Sequence, residues 1–217
     1  MLTDAEEDYA QGFVPFLGVT VRLDSRPLVP RTETEYWTEK LLHTLSSTTS
    51  YSILDLFTGS GAVGLALLTH LPQCRVTFVD IEPRHFTTIQ QSVAENGIDS
   101  SRATYVASDV WESVRGMFNV VAANPPYISR ERNTVDESVR AAEPHEALFA
   151  DDDGFSLIQK TLEGLASHLT PDGSLWIEHE PYHSERLRAL ATLHGFKTST
   201  RGDQYDVQRF SILSRAD

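Results

Sequence analysis

Asn124-Pro125-Pro126-Tyr127 is the segment of this chain whose residue types offer the most chemistry. The Asn124 side-chain oxygen is one acceptor. The Pro125 carbonyl, stiffened by the neighbouring proline, is a second. Tyr127 adds a flat aromatic face. Two fixed acceptors and a flat face suit a conjugated –NH2 group, which has two N–H donors and a π plane. Such a nitrogen is a weak nucleophile, because its lone pair is delocalised. Holding both N–H bonds can aim that lone pair at an electrophile, which is catalysis by position and electrostatics rather than by a general base. Asn124, Pro125 and Tyr127 are therefore the candidate catalytic residues, and Asn124, Pro125, Pro126 and Tyr127 the candidate grip on the substrate. The plainer reading is a Pro-rich turn with a half-buried tyrosine. A glycine turn whose Gly61 lies 63 residues upstream of Asn124 weighs against it.

That turn is Asp55-Leu56-Phe57-Thr58-Gly59-Ser60-Gly61-Ala62-Val63-Gly64. Its glycines let the backbone approach a ligand closely. Asp80 follows Gly61 by 19 residues, where a carboxylate can accept from two ribose hydroxyls. The spacing Gly59-x-Gly61-x-x-Gly64 also satisfies the dinucleotide fingerprint, so a nicotinamide-dependent dehydrogenase is a rival. Asp55 separates the two. A carboxylate there suits the cationic amine of S-adenosylmethionine and repels a pyrophosphate.

The elements that must position these residues follow from the apolar pattern. Residues 1–12 read as a loose arm ahead of one domain spanning 13–217, which includes a small hairpin over 13–30: Phe16 to Leu23 alternates with β-branched residues, and Pro27 to Pro30 resumes an apolar run after a turn at Asp24-Ser25. Thr32-Glu33-Thr34-Glu35 has the form of a capping box, with Trp37, Leu41, Leu42 and Leu45 at helical spacing behind it. Strands are expected over 52–57, 75–80, 104–107, 118–123, 174–179, 196–200 and 207–213. Helices are expected over 62–71, 83–96, 154–169 and 184–194. Strands alternating with helices predict an α/β fold with a largely parallel sheet covered on both faces. Both motifs then sit beyond the carboxyl ends of strands, at one crevice.

Composition narrows the partners. The chain has 217 residues, 40% of them hydrophobic, enough for one sizeable α/β domain. Its formal net charge is −13. Nucleic-acid binders usually carry a basic footprint, so stable nucleic-acid binding is not expected, while a basic protein partner is favoured. The single cysteine, Cys74, excludes an intrachain disulfide, and no Cys/His cluster has zinc spacing, so no metal is expected. The acidic start lacks a signal-peptide or transit-peptide pattern, and no apolar run approaches the ~20 residues of a membrane helix. A cytoplasmic location, with no membrane partner, is the expectation.

Together these residues resemble the glutamine methyltransferases of peptide-chain release factors, the PrmC/HemK family. Val29-Pro30-Arg31-Thr32-Glu33-Thr34-Glu35 resembles that family's Ile-Pro-Arg-Pro-Glu-Thr-Glu segment, its most specific signature. Leu54 to Gly61 resembles Leu-Asp-Leu-Gly-Thr-Gly-Ser-Gly, and Asn124 to Ile128 matches Asn-Pro-Pro-Tyr-Ile. Glu143-Pro144, Ala147-Leu148 and Asp153-Gly154 resemble a further stretch. The resemblance implies a Rossmann-like class I methyltransferase fold, seven-stranded with an antiparallel last strand. It implies S-adenosylmethionine as cofactor, contacted by Asp55, Phe57, Thr58, Gly59, Ser60, Gly61, Asp80, Asp109, Val110 and Asn124. It implies a release factor as protein substrate, methylated at N5 of the glutamine in its Gly-Gly-Gln motif.

Two departures stand out. Phe57 replaces the first glycine of the turn, and only about a dozen residues precede Phe13 where the family commonly carries a helical domain. Three other functions compete. One is an amino-methyltransferase acting on adenine N6 or guanine N2, since that class shares the tetrapeptide. The others are the dehydrogenase and a catalytically silent binding module. Trp111 reads as an adenine flank or a core residue, Asp151-Asp152-Asp153 as a solvated loop, and Cys74 as a plain loop or core thiol. Glu178-His179-Glu180 suggests metal binding only weakly, and Arg31, Glu33 and Glu35 either line a lid or cap a helix.

Overall fold

A computed structural model describes residues 4–132 and 137–216. In chain order, α1 (Asp4–Gln11) leads into a hairpin of β1 (Phe13–Phe16) and β2 (Val19–Arg22), then α2 (Thr32–Thr44). β3 (Ser52–Leu56), α3 (Ala62–His70), β4 (Arg75–Asp80), α4 (Arg84–Glu95), β5 (Ala103–Ala107) and β6 (Phe118–Ala123) alternate through the first half of the sheet. A cover segment follows, made of β7 (Ile128–Ser129), α5 (Glu137–Ala142), α6 (His145–Leu148) and β8 (Phe149–Ala150). α7 (Ser156–Leu165), β9 (Leu169–Glu178), α8 (Ser184–Leu193), β10 (Phe196–Gly202) and β11 (Gln208–Arg215) complete the chain.

The main sheet has seven strands in the order β10-β11-β9-β6-β3-β4-β5. β3, β4, β5, β6 and β9 pair in parallel, and β11 lies between β9 and β10, antiparallel to both. The sequence shows why both faces are covered. Along β3 and β6, Ile53, Val120 and Ala122 point into one apolar layer with α2, α3 and α4. Leu54, Leu56, Val121 and Ala123 point into the opposite layer, with α7 and α8. The period-2 alternation of strand side chains carries apolar residues to both sides. Cys74 is fully buried in the first layer.

Three local expectations need correction. Residues 4–11 form a helix rather than a loose arm: Ala5 is buried, and the Tyr9 hydroxyl donates to the Pro27 carbonyl at 2.6 Å. Polar composition hid a short helix held by tertiary contacts. The hairpin turns at Leu17-Gly18, not at Asp24-Ser25, with both residues at positive φ. The capping box does not form, because Thr32 is already helical and Arg31 is the N-cap. Glu35 instead accepts from the Leu17 amide at 2.7 Å, so it holds the hairpin turn against α2.

Candidate active site

A cavity of about 370 Å³ lies beyond the carboxyl ends of β3, β4 and β6. That size falls in the ordinary range for small-molecule sites. Its floor is the glycine turn. Asp55, at the end of β3, is buried; its Oδ2 accepts from the Thr58 hydroxyl at 2.6 Å and from the Gly64 amide at 3.0 Å. Asp80, at the end of β4, accepts from the Gly59 amide at 2.8 Å and from the Glu82 amide at 2.9 Å. The two carboxylates thus fold the turn as well as facing the space above it. Burial pushes the Asp55 carboxyl up to about 7, and the neighbouring Asp80 charge adds to the effect.

Of the residues singled out by sequence, Asp55, Phe57, Thr58, Gly59, Ser60, Asp80, Asp109, Val110, Asn124 and Pro126 line this cavity. Gly61, Pro125 and Tyr127 do not line it. Phe57 has φ +61° and Val110 φ +49°, so two non-glycine wall residues hold left-handed backbone. Each such residue costs about 1–2 kcal/mol. Phe57 therefore carries strain and walls the pocket at once. Asp109 pairs with Lys160 at 3.1 Å. Trp111 stacks on His168 with ring centroids 4.5 Å apart, and its indole N–H donates to the Lys160 carbonyl at 3.0 Å. It packs on α7 rather than lining the cavity.

The wall also contains Leu28, Ile81 and His85, which motif reading passed over, and Pro30, Pro144 and Ala147, which it quoted for the family resemblance but not as site residues. His85 Nδ1 lies 2.8 Å from the Ser25 hydroxyl. The cover is tied down by Arg31, which reaches the buried Glu143 at 2.5 Å, and by Arg84, 3.3 Å from Glu146. Arg31 lines the cavity, Glu35 serves the hairpin, and Glu33 is half-buried, its carboxylate accepting from the Thr32 hydroxyl at 3.2 Å.

Glu178, Thr34 and Trp37 form the largest addition. The Glu178 carboxylate, at the end of β9, is buried. Its Oε2 accepts from the Thr34 hydroxyl and from the Trp37 indole N–H, each at 2.7 Å. Its Oε1 accepts from the Tyr127 hydroxyl at 2.7 Å. The Asn124 amide nitrogen in turn donates to Thr34 Oγ1 at 3.1 Å. Burial, reinforced by the Glu178 charge, holds the Tyr127 phenol well above its usual range, so Tyr127 stays neutral. Burial also raises the Glu178 carboxyl. Its neighbours are occupied too: His179 Nε2 lies 2.8 Å from the Ser211 hydroxyl, and Glu180 pairs with Arg209 at 3.6 Å. The Asp151-Asp152-Asp153 run is a turn whose carboxylates meet Arg130, Arg186 and Arg132. The alternation in the sequence placed Glu178 at a strand end, but nothing local announced the three donors, which come from α2 and the tetrapeptide.

The Methyltransferase small domain family matches residues 31–147. A release factor glutamine methyltransferase of Deinococcus radiodurans is 32% identical over 206 residues, covering 94% of this chain and 73% of that protein. One of Streptococcus pneumoniae is 34% identical over 208 residues, with the same coverage. Among solved structures, a ribosomal protein L11 methylase of Lactobacillus delbrueckii subsp. bulgaricus superposes with TM-score 0.66 at 15% identity, over 89% of this chain and 83% of that one. A methyltransferase of Pyrococcus furiosus gives 0.65 at 15% identity, over 90% and 88%. No helix among the described residues is long and apolar enough to cross a membrane. The sheet order with its single antiparallel strand, the strand-end cavity and the relatives together leave one conclusion: the chain belongs to the release factor glutamine methyltransferases, a family of S-adenosylmethionine-dependent enzymes.

Proposed function

We propose that this protein transfers a methyl group from S-adenosylmethionine to the side-chain amide nitrogen of a release-factor glutamine, with Asn124 and Pro125 receiving that amide. The supporting observation is Asn124, whose amide nitrogen is occupied by Thr34 on one side while the residue lines the cavity on the other.

The residues present fit the cofactor. Asp80 offers a carboxylate at the strand end expected for a ribose, Ile81 and Val110 offer apolar walls for a flat base, and buried Asp55 offers a negative partner for an amine. Thr58, Gly59, Ser60 and Gly61 supply the close-packed turn, and Asp109 borders the same wall. When bound, the cofactor supplies an electrophilic methyl on a sulfonium. Asn124 Oδ1, on the cavity wall, takes one amide N–H bond. The Pro125 carbonyl, next in the chain but behind that wall, is reached by the other only as the glutamine seats against the tetrapeptide, and the pair then fixes the amide plane. Pro126, on the cavity wall, excludes water from that plane. Tyr127 contributes its ring rather than a charge, since its phenol is neutral and bound to Glu178. The tetrapeptide holds no general base, so orientation and fixed dipoles carry the rate. The chain's net charge of −13 disfavours nucleic acid as a stable partner and favours a basic protein surface.

Incubation with labelled S-adenosylmethionine and purified release factor, followed by peptide mass spectrometry, should place one methyl group on a glutamine of the factor. Label entering adenine or guanine bases instead would select the base-methylating alternative.

A second expectation concerns pH. With its carboxyl raised to about 7, Asp55 is partly protonated in the free protein near neutrality. A cation beside it favours the ionised form, so the complex binds fewer protons than the free protein. Cofactor affinity should therefore rise with pH towards 7, falling by up to about tenfold per unit below it. Calorimetry at pH 6 in two buffers of different ionisation enthalpy should detect proton release. Equal heats in the two buffers would count against Asp55 as the amine's partner.

A further inference from the structure

We infer that Thr34 and Glu178 are positioning residues that decide which end of the Asn124 amide faces the cavity. This rests on the reading of Asn124 as the glutamine's acceptor and adds what fixes it.

The argument is a count of protons. The Trp37 indole nitrogen only donates, so Glu178 Oε2 must accept from it. The Thr34 hydroxyl lies 2.7 Å from that same oxygen and has one proton. If Thr34 spends its proton on Glu178, its oxygen has only lone pairs left for Asn124. The Asn124 group 3.1 Å away is then its NH2, and the planar amide presents Oδ1 on the opposite side. The reverse orientation sets the Thr34 lone pairs against a carboxylate oxygen at 2.7 Å in a buried site, where such repulsion is strong. Burial raises this carboxyl, but the hydrogens that Thr34, Trp37 and Tyr127 direct at its two oxygens, with the charge of Arg209, each oppose that and favour the acceptor form that the count requires.

An asparagine side chain can otherwise rotate by a half turn at little cost in shape, exchanging an acceptor for two donors. A donor facing the substrate's NH2 would repel it. The relay removes that ambiguity from a distance, since Thr34 sits on α2 and Glu178 at the end of β9. One carboxylate also holds the Tyr127 hydroxyl, so both ends of the tetrapeptide answer to it.

Glu178→Leu would strip the acceptor from three buried donors and is a poor test. Thr34 is the better lever. Thr34→Val keeps the shape of the side chain and removes the relay. It should lower kcat for glutamine methylation by about 10–100-fold, with S-adenosylmethionine affinity unchanged within about threefold. Thr34→Ser, which keeps the hydroxyl, should recover most of the rate. The Asn124 side-chain 15N–1H2 signal, identified by its loss in Asn124→Ala, gives a readout independent of turnover. Its hydrogen-bonded proton should exchange at least tenfold faster in Thr34→Val and stay protected in Thr34→Ser. Wild-type kcat together with an unmoved Asn124 signal in Thr34→Val would overturn the relay. Absence of any glutamine methylation by the wild-type protein would instead defeat the functional reading, and the Asn124 signal would still decide the relay.

Discussion

Asn124→Ala should slow methyl transfer by about 10²–10³-fold, the loss typical of removing one preorganised polar contact at a reacting centre. The substitution deletes a fixed acceptor from the cavity wall and leaves the Thr34 oxygen without its Asn124 donor. It leaves the glycine turn, Asp55 and Asp80 untouched, so cofactor affinity should fall much less than the rate. Single-turnover transfer from labelled cofactor, set beside calorimetric binding, separates the two. An equal fall in both would make Asn124 a cofactor residue first and an orienting residue second. A rate within threefold of wild type would remove the tetrapeptide from the chemistry altogether.

Gly154→Ala should be the most damaging small substitution near the site. Gly154 has φ +84°, and a Cβ there would sit 2.1 Å from the Tyr127 carbonyl oxygen, 2.8 Å from its carbon and 3.1 Å from the Ser129 amide nitrogen. All three are backbone atoms, so no side chain can swing aside. Left-handed strain of about 1–2 kcal/mol and overpacking of about 1–3 kcal/mol combine. At roughly 2–4 °C per kcal/mol for a chain of this size, thermal unfolding should shift down by about 4–20 °C. Relief would push the end of the tetrapeptide out of line, so activity should drop even well below the melting point. Gly97→Ala is the control: φ is +65° but no heavy atom lies within 4 Å of the added Cβ, so only backbone strain applies. Similar shifts for the two variants would show that crowding against Tyr127 contributes nothing.

How much of this was legible beforehand divides by the range of the interactions. The strands from Ser52 to Ala123 and the turn at Gly59-Gly61 were readable because period-2 apolar runs and glycine spacing are local signals. So was the convergence of Asp80 and Asn124 on one crevice, which follows from parallel topology. The hairpin register was misplaced because its turn uses Leu17 in a left-handed conformation that residue type does not advertise. Glu35 looked like half of a capping box until Leu17, 18 residues away, claimed it. Glu178 was visible only as an acid between other polar residues. Its meaning lies in Thr34 and Trp37, more than 140 residues earlier, and such pairings leave no trace in a local window.

The placement of β11 between β9 and β10 sets an order of assembly. During vectorial synthesis β9 emerges with its parallel partner β6 already made, but its other edge stays bare until Gln208–Arg215 arrive. Phe210 then docks beside Glu178, the residue on which the Tyr127 hydroxyl of the tetrapeptide and the Trp37 indole of α2 converge. A nascent chain stalled before Gln208 would own every motif quoted above and still lack the rigid edge that aims them.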